Sequence, residues 1–379
     1  MNDSDGVSTE TEESSGHNPA ALAQELATKL GSRARHVCML VGAGASFAAG
    51  LPMLAQLEEA VRGRLDTEAA TLLSAHLDGR NLEAALSRIR RVSRFLEEGE
   101  SFGELTRSSA AALDQKICEA IMAVIDEANP DLGCFERLAS WAGRMDYERP
   151  LEIFTVNYDL LIEKGLEKVG VPYFDGFIGT HRAPLMAELV EPRDAPRRWA
   201  LPSGFVRVWK LHGSTNWRLV DSSPSTIVRV GSGGGDGSLA IYPSDEKYDE
   251  SRRVPFVVLL DRFRRALVEP ETVTITTGFS YSDDHLNEML FDAAARHPRC
   301  EVLALCHKDI PSVLADRASN TRNLLVLGRS EAIVNGRREP WDHEKEIPGV
   351  YESKEFLLGD FVHLTEFLAR EVGPSDEAV

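Results

Sequence analysis

Short runs of apolar and β-branched residues recur along the chain, and most are followed by segments with helical spacing. Uninterrupted apolar strands are typical of a parallel sheet that is buried on both faces, and helices between them supply the crossover connections. The pattern therefore predicts an α/β fold, a Rossmann-like parallel sheet flanked by helices. The runs cover 36–41, 151–156, 207–211, 225–230, 239–242, 272–278, 301–305 and 324–328.

Helical spacing without strand signals occurs before and after the first apolar run. Leu22, Leu26 and Leu30 lie on one face of a predicted helix. Asn18 precedes them and is a residue type that caps helices. The segment GLPMLAQLEEAVRGRL indicates another helix after the first glycine turn. Residues 66–145 contain almost no β-branched runs and carry helix-period segments, so we expect a helical insertion there.

The chain ends are predicted to lie outside the folded domain. Residues 1–17 are polar, rich in Ser, Thr and Glu, and bury too little apolar surface to order themselves. We expect a disordered acidic tail there, one folded domain over 18–372, and a short tail at 373–379. The glycine-rich segment 231–237 lacks the Lys-Ser/Thr pair of a P-loop, which favours a mobile hairpin tip over a phosphate site.

Composition and charge narrow the classes of function. Of the 379 residues, 43% are hydrophobic and 27% are charged, which is typical of a globular protein. Because 60 Asp and Glu outnumber 42 Lys and Arg, the net charge is −18, which disfavours direct nucleic-acid binding through this chain. No run approaches the roughly 18 apolar residues of a membrane span, and the N-terminus is acidic where a secretory signal is basic. We therefore expect a cytoplasmic protein.

The sequence carries no pattern for a metal site. The cysteines form no CxxC pair and the histidines form no HExxH pair, so we expect no zinc module and no bound metal. Widely spaced cysteines are better explained as buried small hydrophobic side chains than as a disulfide framework. The five cysteines are Cys38, Cys118, Cys134, Cys300 and Cys306.

Gly42 and Gly44 follow the first predicted strand, in the segment VGAGASFAAGLP. In a nucleotide-binding unit such glycines let backbone N–H groups approach a pyrophosphate, and Ser46 can add a hydroxyl group. The third glycine of a Rossmann fingerprint is absent, however, and a tight strand-to-helix turn needs the same small residues. Both interpretations stay open from this segment alone.

Two further predicted strands end in polar residues. Asn157 and Asp159 follow 151–156, where they can orient a ligand or cap the next helix. His212 follows 207–211, where it is either a catalyst or a hydrogen-bonded structural residue. A fourth strand, 272–278, ends at Gly278 and leads through GFSYSD into a helix. Four such strand ends in one chain exceed what chance turns explain.

In this order the four segments resemble the sirtuin-like NAD-consuming family over about residues 18–330. VGAGAS with GLP resembles its GAGxS…GxP nucleotide loop, VNYD its catalytic Asn-x-Asp, LHG its catalytic histidine segment, and GFS its phosphate turn. The resemblance implies NAD as the substrate and Asn157, His212 and Asp159 as catalytic residues. The NAD-binding residues that it implies are Gly42, Ala43, Gly44, Ser46, Pro52, Gly278, Phe279 and Ser280.

The resemblance also implies a separate role for each of the three catalytic residues in cleaving the nicotinamide–ribose bond. Asn157 would orient the ribose hydroxyl groups and the attacking water, and His212 would accept a proton. Asp159 would receive the nicotinamide amide or hold its loop. No Asp or Glu stands after a second early strand, so the residue that binds the adenosine ribose is not predicted.

Several segments are similar to the bacterial antiphage defence branch of this family: TVNYDLLIE, KLHGSTNW and GFSYSDDHLNEML. YPSDEKYDESRRVPF resembles the sirtuin-like partner of a HerA-type ATPase. These likenesses imply a defence effector that depletes NAD and works in a complex with an ATPase or helicase. Because a cell-killing NADase must be restrained, we also expect a homo-oligomer, with 66–145 as the candidate surface for oligomer or partner contacts.

Two departures from the family bear on the reaction. The two CxxC pairs of the deacylases are absent, and Met53, Leu54 and Ala55 stand where those enzymes carry Asp-Phe-Arg. Both changes favour NAD glycohydrolysis over peptide deacylation, which stays a minor alternative. A second alternative is a non-catalytic subunit that binds NAD or ADP-ribose and regulates an ATPase.

Overall fold

The computed structural model describes residues 16–79, 81–190, 202–220, 226–231, 238–241 and 255–372. The predicted tails, the glycine-rich segment and the YPSDEKYDESRRVPF stretch lie wholly or mainly outside these residues. At the described start of the chain, the backbone of His17 is bonded to Pro340 and Asp342, beside Trp341. Within the described ranges no helix has the length and apolar content that crossing a membrane requires.

Several helices begin at a side chain that accepts hydrogen bonds from the first turn, and Asn18 does so as predicted. The helix predicted over GLPMLAQLEEAVRGRL begins only at Leu54, because Gly50 has a φ of +95° and Pro52 follows it. The helices are α1 (Pro19–Gly31), α2 (Ala43–Ala48), α3 (Leu54–Arg64), α4 (Thr67–Leu77), α5 (Leu82–Phe95), α6 (Arg107–Glu127), α7 (Gly133–Arg144), α8 (Leu161–Val169), α9 (Ala187–Val190), α10 (Phe256–Leu267), α11 (Asp284–Arg296), α12 (Ser312–Ala318) and α13 (Phe361–Glu371).

Every strand that the apolar runs predicted is present, with bounds that differ by one residue at most. The strands are β1 (His36–Val41), β2 (Ser101–Phe102), β3 (Leu105–Thr106), β4 (Leu151–Thr155), β5 (Tyr173–Phe174), β6 (Arg182–Pro184), β7 (Val206–Lys210), β8 (Gly213–Val220), β9 (Thr226–Val230), β10 (Ser238–Ile241), β11 (Thr272–Thr277), β12 (Glu301–Leu305), β13 (Leu324–Leu327), β14 (Glu331–Val334), β15 (Arg337–Pro340), β16 (Tyr351–Glu352) and β17 (Glu355–Phe356).

The main sheet has the order β15-β14-β13-β12-β11-β1-β4-β7-β5 among the described residues. From β13 to β5 the neighbouring strands are parallel, whereas the pairs β13–β14 and β14–β15 are antiparallel, so that β14 alone is reversed in this sheet as described. β1 is central, with β4 on one side and β11 on the other. The loops after these strands and after β7 therefore share one edge of the sheet, where open α/β sheets bind ligands.

Helices cover both faces of this sheet, which confirms the predicted α/β fold. In β1 every residue is buried, and alternate side chains enter different cores. Val37 and Met39 pack on the face that carries α1, α7, α8 and α13, whereas Cys38 and Leu40 pack on the face of α10, α11 and α12. All five cysteines are buried and unpaired, as predicted.

A second, antiparallel sheet has the order β10-β8-β9-β6. β8, which the sequence did not predict, follows β7 after the two residues Leu211 and His212. Gly213 begins β8 with a φ of +92°, a conformation that favours glycine. The predicted catalytic histidine thus lies in a tight connection between the two sheets.

Helices α3 to α6 and the β2–β3 hairpin form a unit with a core of its own, which we call the helical module (Leu54–Glu127). α7 is helical as expected but packs in the main core through Phe135, Leu138 and Trp141. The separate module therefore runs over 54–127, compared with the predicted insertion of 66–145. Its largest buried residues include Leu73, Leu86, Ile89, Ile117 and Ile121.

A buried carboxylate ties three strands of the main sheet to a helix. Glu152 on β4 accepts hydrogen bonds from Arg262 on α10, from His36 Nε2 at 3.0 Å and from Trp209 Nε1 at 2.6 Å. Burial raises the pKa of Glu152, but hydrogen bonds from His36 and Arg262 outweigh it and bring the pKa to about 2. The carboxylate is therefore ionised at neutral pH.

Candidate functional site

The loops after β1, β4, β7 and β11 meet around a cavity of about 320 Å³ that the helical module closes from the other side. All residues that the sequence predicted for the site line this cavity except Gly42, whose carbonyl group is bonded to Asn157. The structure thus brings together side chains from four separate parts of the chain. The predicted residues in its wall are Ala43, Gly44, Ser46, Pro52, Asn157, Asp159, His212, Gly278, Phe279 and Ser280.

Asn157 is held in one orientation by its neighbours. Its Nδ2 donates to the Gly42 carbonyl oxygen at 3.0 Å and to Ser46 Oγ at 2.8 Å, which uses both amide hydrogens. Its Oδ1 is buried and has no hydrogen-bond partner among the described residues. A buried acceptor left without a donor costs about 1–3 kcal/mol, so this atom is a candidate ligand contact.

Asp159 holds its loop and the start of α8, which is one of the two roles that the sequence left open; contact with a ligand stays a prediction. Its Oδ1 accepts from the backbone N–H of Leu161 at 3.0 Å, at the first residue of α8. Its Oδ2 accepts from Ser46 Oγ at 2.6 Å, so Ser46 links Asp159 to Asn157. The hydroxyl group of Ser46 therefore has partners within the protein, whereas the sequence predicted that it would face a pyrophosphate.

His212 lies beside a carboxylate from the far side of the cavity. Its Nε2 is 3.2 Å from Oδ2 of Asp283, and their side chains are 11% and 4% exposed. Asp283 caps α11, because its Oδ1 accepts from the backbone N–H groups of His285 and Leu286. Asp283 is the last residue of the GFSYSD segment, and the sequence predicted no role for it.

Lys210 is a second charged residue beside the site that the sequence did not predict. It is buried, its Nζ lies 3.2 Å from Glu163 Oε1, and it donates to the backbone carbonyl of Asp159. Burial raises the pKa of Glu163, and the charge of Lys210 partly offsets this effect. A lysine inside the apolar strand RVWKL was the available signal, because such residues are rarely buried without a partner.

The predicted glycines pack the loops against each other. Gly44 donates its backbone N–H to the Gly278 carbonyl at 2.9 Å, and a Cβ atom on Gly42 would lie 2.4 Å from the same oxygen. Gly278 has a φ of +61°, and its own Cβ would lie 2.5 Å from Ala45 N. These glycines are thus required for loop packing, and pyrophosphate binding by this segment stays a prediction.

The helical module supplies an apolar wall, which the sequence did not predict. One carboxylate interrupts this wall: Glu83 Oε1 accepts from the hydroxyl of Tyr158 at 3.1 Å. Burial, and then the charge of Glu83, raise the pKa of Tyr158 well above its usual value, so Tyr158 stays a donor. The apolar residues of this wall are Leu54, Leu57, Leu82, Leu86, Ile121 and Ile125.

The charges that face the cavity are mainly negative. Among the described lining residues, Glu83, Asp159 and Asp283 carry carboxylates, and none is a lysine or an arginine. The part of the chain that the structure describes contains no group of three or more His, Cys, Asp or Glu residues that could hold a metal ion. The cavity therefore favours a cationic or neutral group over a phosphate.

Comparison with known proteins gives one family match. Residues 151–330 match the model of a SIR2-like domain, and this range contains Asn157, Asp159, His212, Gly278 and Asp283. A solved structure of a SIR2 homologue in complex with NAD is 16% identical in sequence, with a TM-score of 0.41. That alignment covers 79% of this chain and 86% of the other. No curated protein matches the chain.

Proposed function

We propose that this protein is an NAD glycohydrolase that cleaves NAD to nicotinamide and ADP-ribose. The observation that carries the proposal is the arrangement of Asn157 and His212 at one cavity, with Asn157 Oδ1 buried and without a partner among the described residues. Binding alone requires neither an oriented amide nor an imidazole paired with a carboxylate. The SIR2-like match over 151–330 supports the same substrate.

The size and charge of the cavity favour the nicotinamide end of NAD. A volume of about 320 Å³ is at the small end of ligand sites, which span roughly 300–1,000 Å³. The pyridinium ring of NAD is a cation on an aromatic plane, so the carboxylates of Glu83, Asp159 and Asp283 suit its charge and the leucine wall suits its faces. The phosphates would lie toward the mouth, near Gly278 and Ser280.

The reaction that we propose breaks the bond between ribose C1′ and the nicotinamide nitrogen. The bonding electron pair leaves with nicotinamide, which becomes neutral, and C1′ develops oxocarbenium character. Asn157 Oδ1 accepts from a ribose hydroxyl group or from the water that attacks C1′. His212 takes the proton that this water loses, so water and NAD yield nicotinamide, ADP-ribose and one proton.

We also propose a biological role, a partner and an oligomeric state for this enzyme. The segments TVNYDLLIE, KLHGSTNW and GFSYSDDHLNEML support an antiphage defence effector that acts in the cytoplasm by depleting NAD. The YPSDEKYDESRRVPF segment supports a complex with a HerA-type ATPase or helicase that activates the enzyme. We propose a homo-oligomer as the restrained form.

The first test measures nicotinamide and ADP-ribose after incubation with NAD, with and without a co-encoded ATPase. We expect release by the wild-type protein and at least a 100-fold loss in Asn157→Ala and His212→Ala, because each removes a group that acts at C1′. His181→Ala and Asn320→Ala are matched controls, since both residues are exposed and outside the cavity. Melting temperatures equal to that of the wild-type protein would exclude unfolding as the cause of the lost activity.

The products also separate the alternatives. Binding of NAD without release of nicotinamide in both conditions would contradict the proposal and favour a regulatory subunit. Formation of acyl-ADP-ribose from an acylated peptide would favour a deacylase. Wild-type turnover by Asn157→Ala and His212→Ala would disprove the assigned site.

A further inference from the structure

We propose that Glu83 is a specificity-determining residue, which receives the carboxamide of the nicotinamide ring and rejects a dinucleotide that carries a carboxylate at that position. This inference rests on the proposed function, because that function supplies the class of substrate. The preference that it predicts can nevertheless be measured by binding alone.

Glu83 is a polar residue in an otherwise apolar wall. It lies in the first turn of α5, and its neighbours Leu82 and Leu86 line the cavity with it. Among the described residues that the helical module contributes to the cavity, Glu83 is the only one with a polar side chain. Apolar side chains hold the faces of an aromatic ring, whereas a single polar group among them fixes how the ring is turned. Glu83 is placed to do this for a ring held by the module.

The carboxylate of Glu83 is held by the loop that carries Asn157. The hydroxyl group of Tyr158 donates to Glu83 Oε1 at 3.1 Å. The main chain of Tyr158 is held in turn, because its carbonyl oxygen accepts from the backbone N–H of Thr215 at 2.9 Å. Within the described ranges Tyr158 is the only hydrogen-bond partner of the Glu83 side chain, which leaves Oε2 for an N–H donor in the cavity.

The other carboxylates of the cavity have partners in the main domain. The resemblance to the sirtuin-like family implied Asp159 as the acceptor for the nicotinamide amide. Both oxygens of Asp159 accept from the protein, however: Oδ1 from the N–H of Leu161 and Oδ2 from the hydroxyl of Ser46. Asp283 caps α11 and lies beside the predicted catalytic histidine. Glu83 is therefore the carboxylate that belongs to the wall suited to the ring.

The chemistry of a carboxylate at this place discriminates between two groups of similar shape. A carboxamide brings an NH2 group that donates to Glu83. A carboxylate accepts hydrogen bonds and donates none, so it would meet a like charge without a hydrogen between them. Among the described lining residues no lysine or arginine could offset that repulsion. NAD and nicotinic acid adenine dinucleotide differ in this group alone, which makes them the matched pair of probes.

The test compares release of nicotinamide from NAD with release of nicotinate from the analogue, with the ATPase present if activity requires it. We expect wild-type kcat/KM to favour NAD by about 100-fold or more. Glu83→Gln keeps an oxygen for Tyr158 and presents an NH2 group to the cavity, so it should lower this ratio by about tenfold or more. Glu83→Ala removes the charge without adding a donor and should lower the ratio less. Glu98→Gln is the matched control, since Glu98 is exposed on the same module and outside the cavity.

A binding measurement separates this inference from the proposed reaction. Titration calorimetry in the His212→Ala background gives Kd for both dinucleotides without turnover, with and without Glu83→Gln. An unchanged ratio in both Glu83 variants, or a wild-type protein that does not prefer NAD, would overturn the role of Glu83 even if NAD is cleaved. If no NAD is cleaved under any condition but the Kd ratio depends on Glu83, the proposed reaction fails and the recognition holds. A protein that binds neither dinucleotide would contradict both.

Discussion

At the scale of single residues, the site depends on charged side chains that are buried beside it. Lys210 and Glu163 form an ion pair beneath the loop that carries Asn157 and Asp159, and Lys210 also donates to the Asp159 carbonyl. Lys210 stands two residues before His212 in the chain. One buried lysine thus connects the loop after β4 to the strand that presents the histidine.

Replacing this pair should separate stability from activity. Lys210→Met leaves Glu163 buried without its partner and should lower the free energy of unfolding by about 3–5 kcal/mol. The double variant Lys210→Met with Glu163→Leu should regain most of that stability, because apolar residues replace buried ion pairs well. Its nicotinamide release should stay low, since the Asp159 carbonyl has lost its donor. Denaturant unfolding and product release measure the two effects.

The matched control is a partly buried ion pair outside the cavity. Arg229 lies 2.8 Å from Asp175, between the second sheet and the segment after β5. Arg229→Met with Asp175→Leu should leave nicotinamide release unchanged. Full activity in the Lys210 and Glu163 double variant would show that the pair contributes to stability alone.

At the scale of elements, the sequence predicted strands well because a buried parallel strand has a local signature. β1, β4 and β11 are short runs rich in apolar and β-branched residues, and each was recognisable without its neighbours. The sequence did not predict β8, because its residues GSTNWRLV are mixed in polarity and its pairing with β9 and β10 is antiparallel. The place of α7 in the main core was equally inaccessible, since a helical pattern does not specify which core receives it.

The hydrogen bonds that His36, Trp209 and Arg262 donate to Glu152 give a prediction for the stability of the fold in acid. Because the pKa of Glu152 is about 2 in the folded protein and near 4.5 otherwise, its ionisation stabilises the fold above pH 4.5. This contribution is lost as the pH falls from 4.5 to about 2. A shift of this size corresponds to roughly 3 kcal/mol.

Glu152→Gln should therefore be less stable than wild type at pH 7, and the difference should shrink as the pH falls through this window. Unfolding by denaturant at several pH values, monitored by circular dichroism, measures it. A constant difference between the two proteins from pH 7 to pH 2 would contradict the role of Glu152 ionisation.

At the scale of the whole molecule, the cavity forms between two units that the chain builds separately. The strand-end residues were predictable because parallel strands place their carboxyl ends on one edge, which brought Asn157 and His212 together. The module wall and the Asp283 contact were not predictable, because they join segments far apart in the sequence. The SIR2-like match also begins at residue 151, after the module.

If the module holds the nicotinamide ring, filling the cavity from its side should weaken binding of that product. Leu57 lines the cavity and is only partly buried. A larger side chain at this position would therefore extend into the cavity. Leu57→Trp should raise the inhibition constant of nicotinamide at least tenfold and change that of ADP-ribose much less, because only one product would occupy the wall. Phe95→Trp is the control on the same module, since Phe95 is 73% exposed and outside the cavity. Unchanged inhibition by nicotinamide in Leu57→Trp would place the ring elsewhere and limit the module to closing the site.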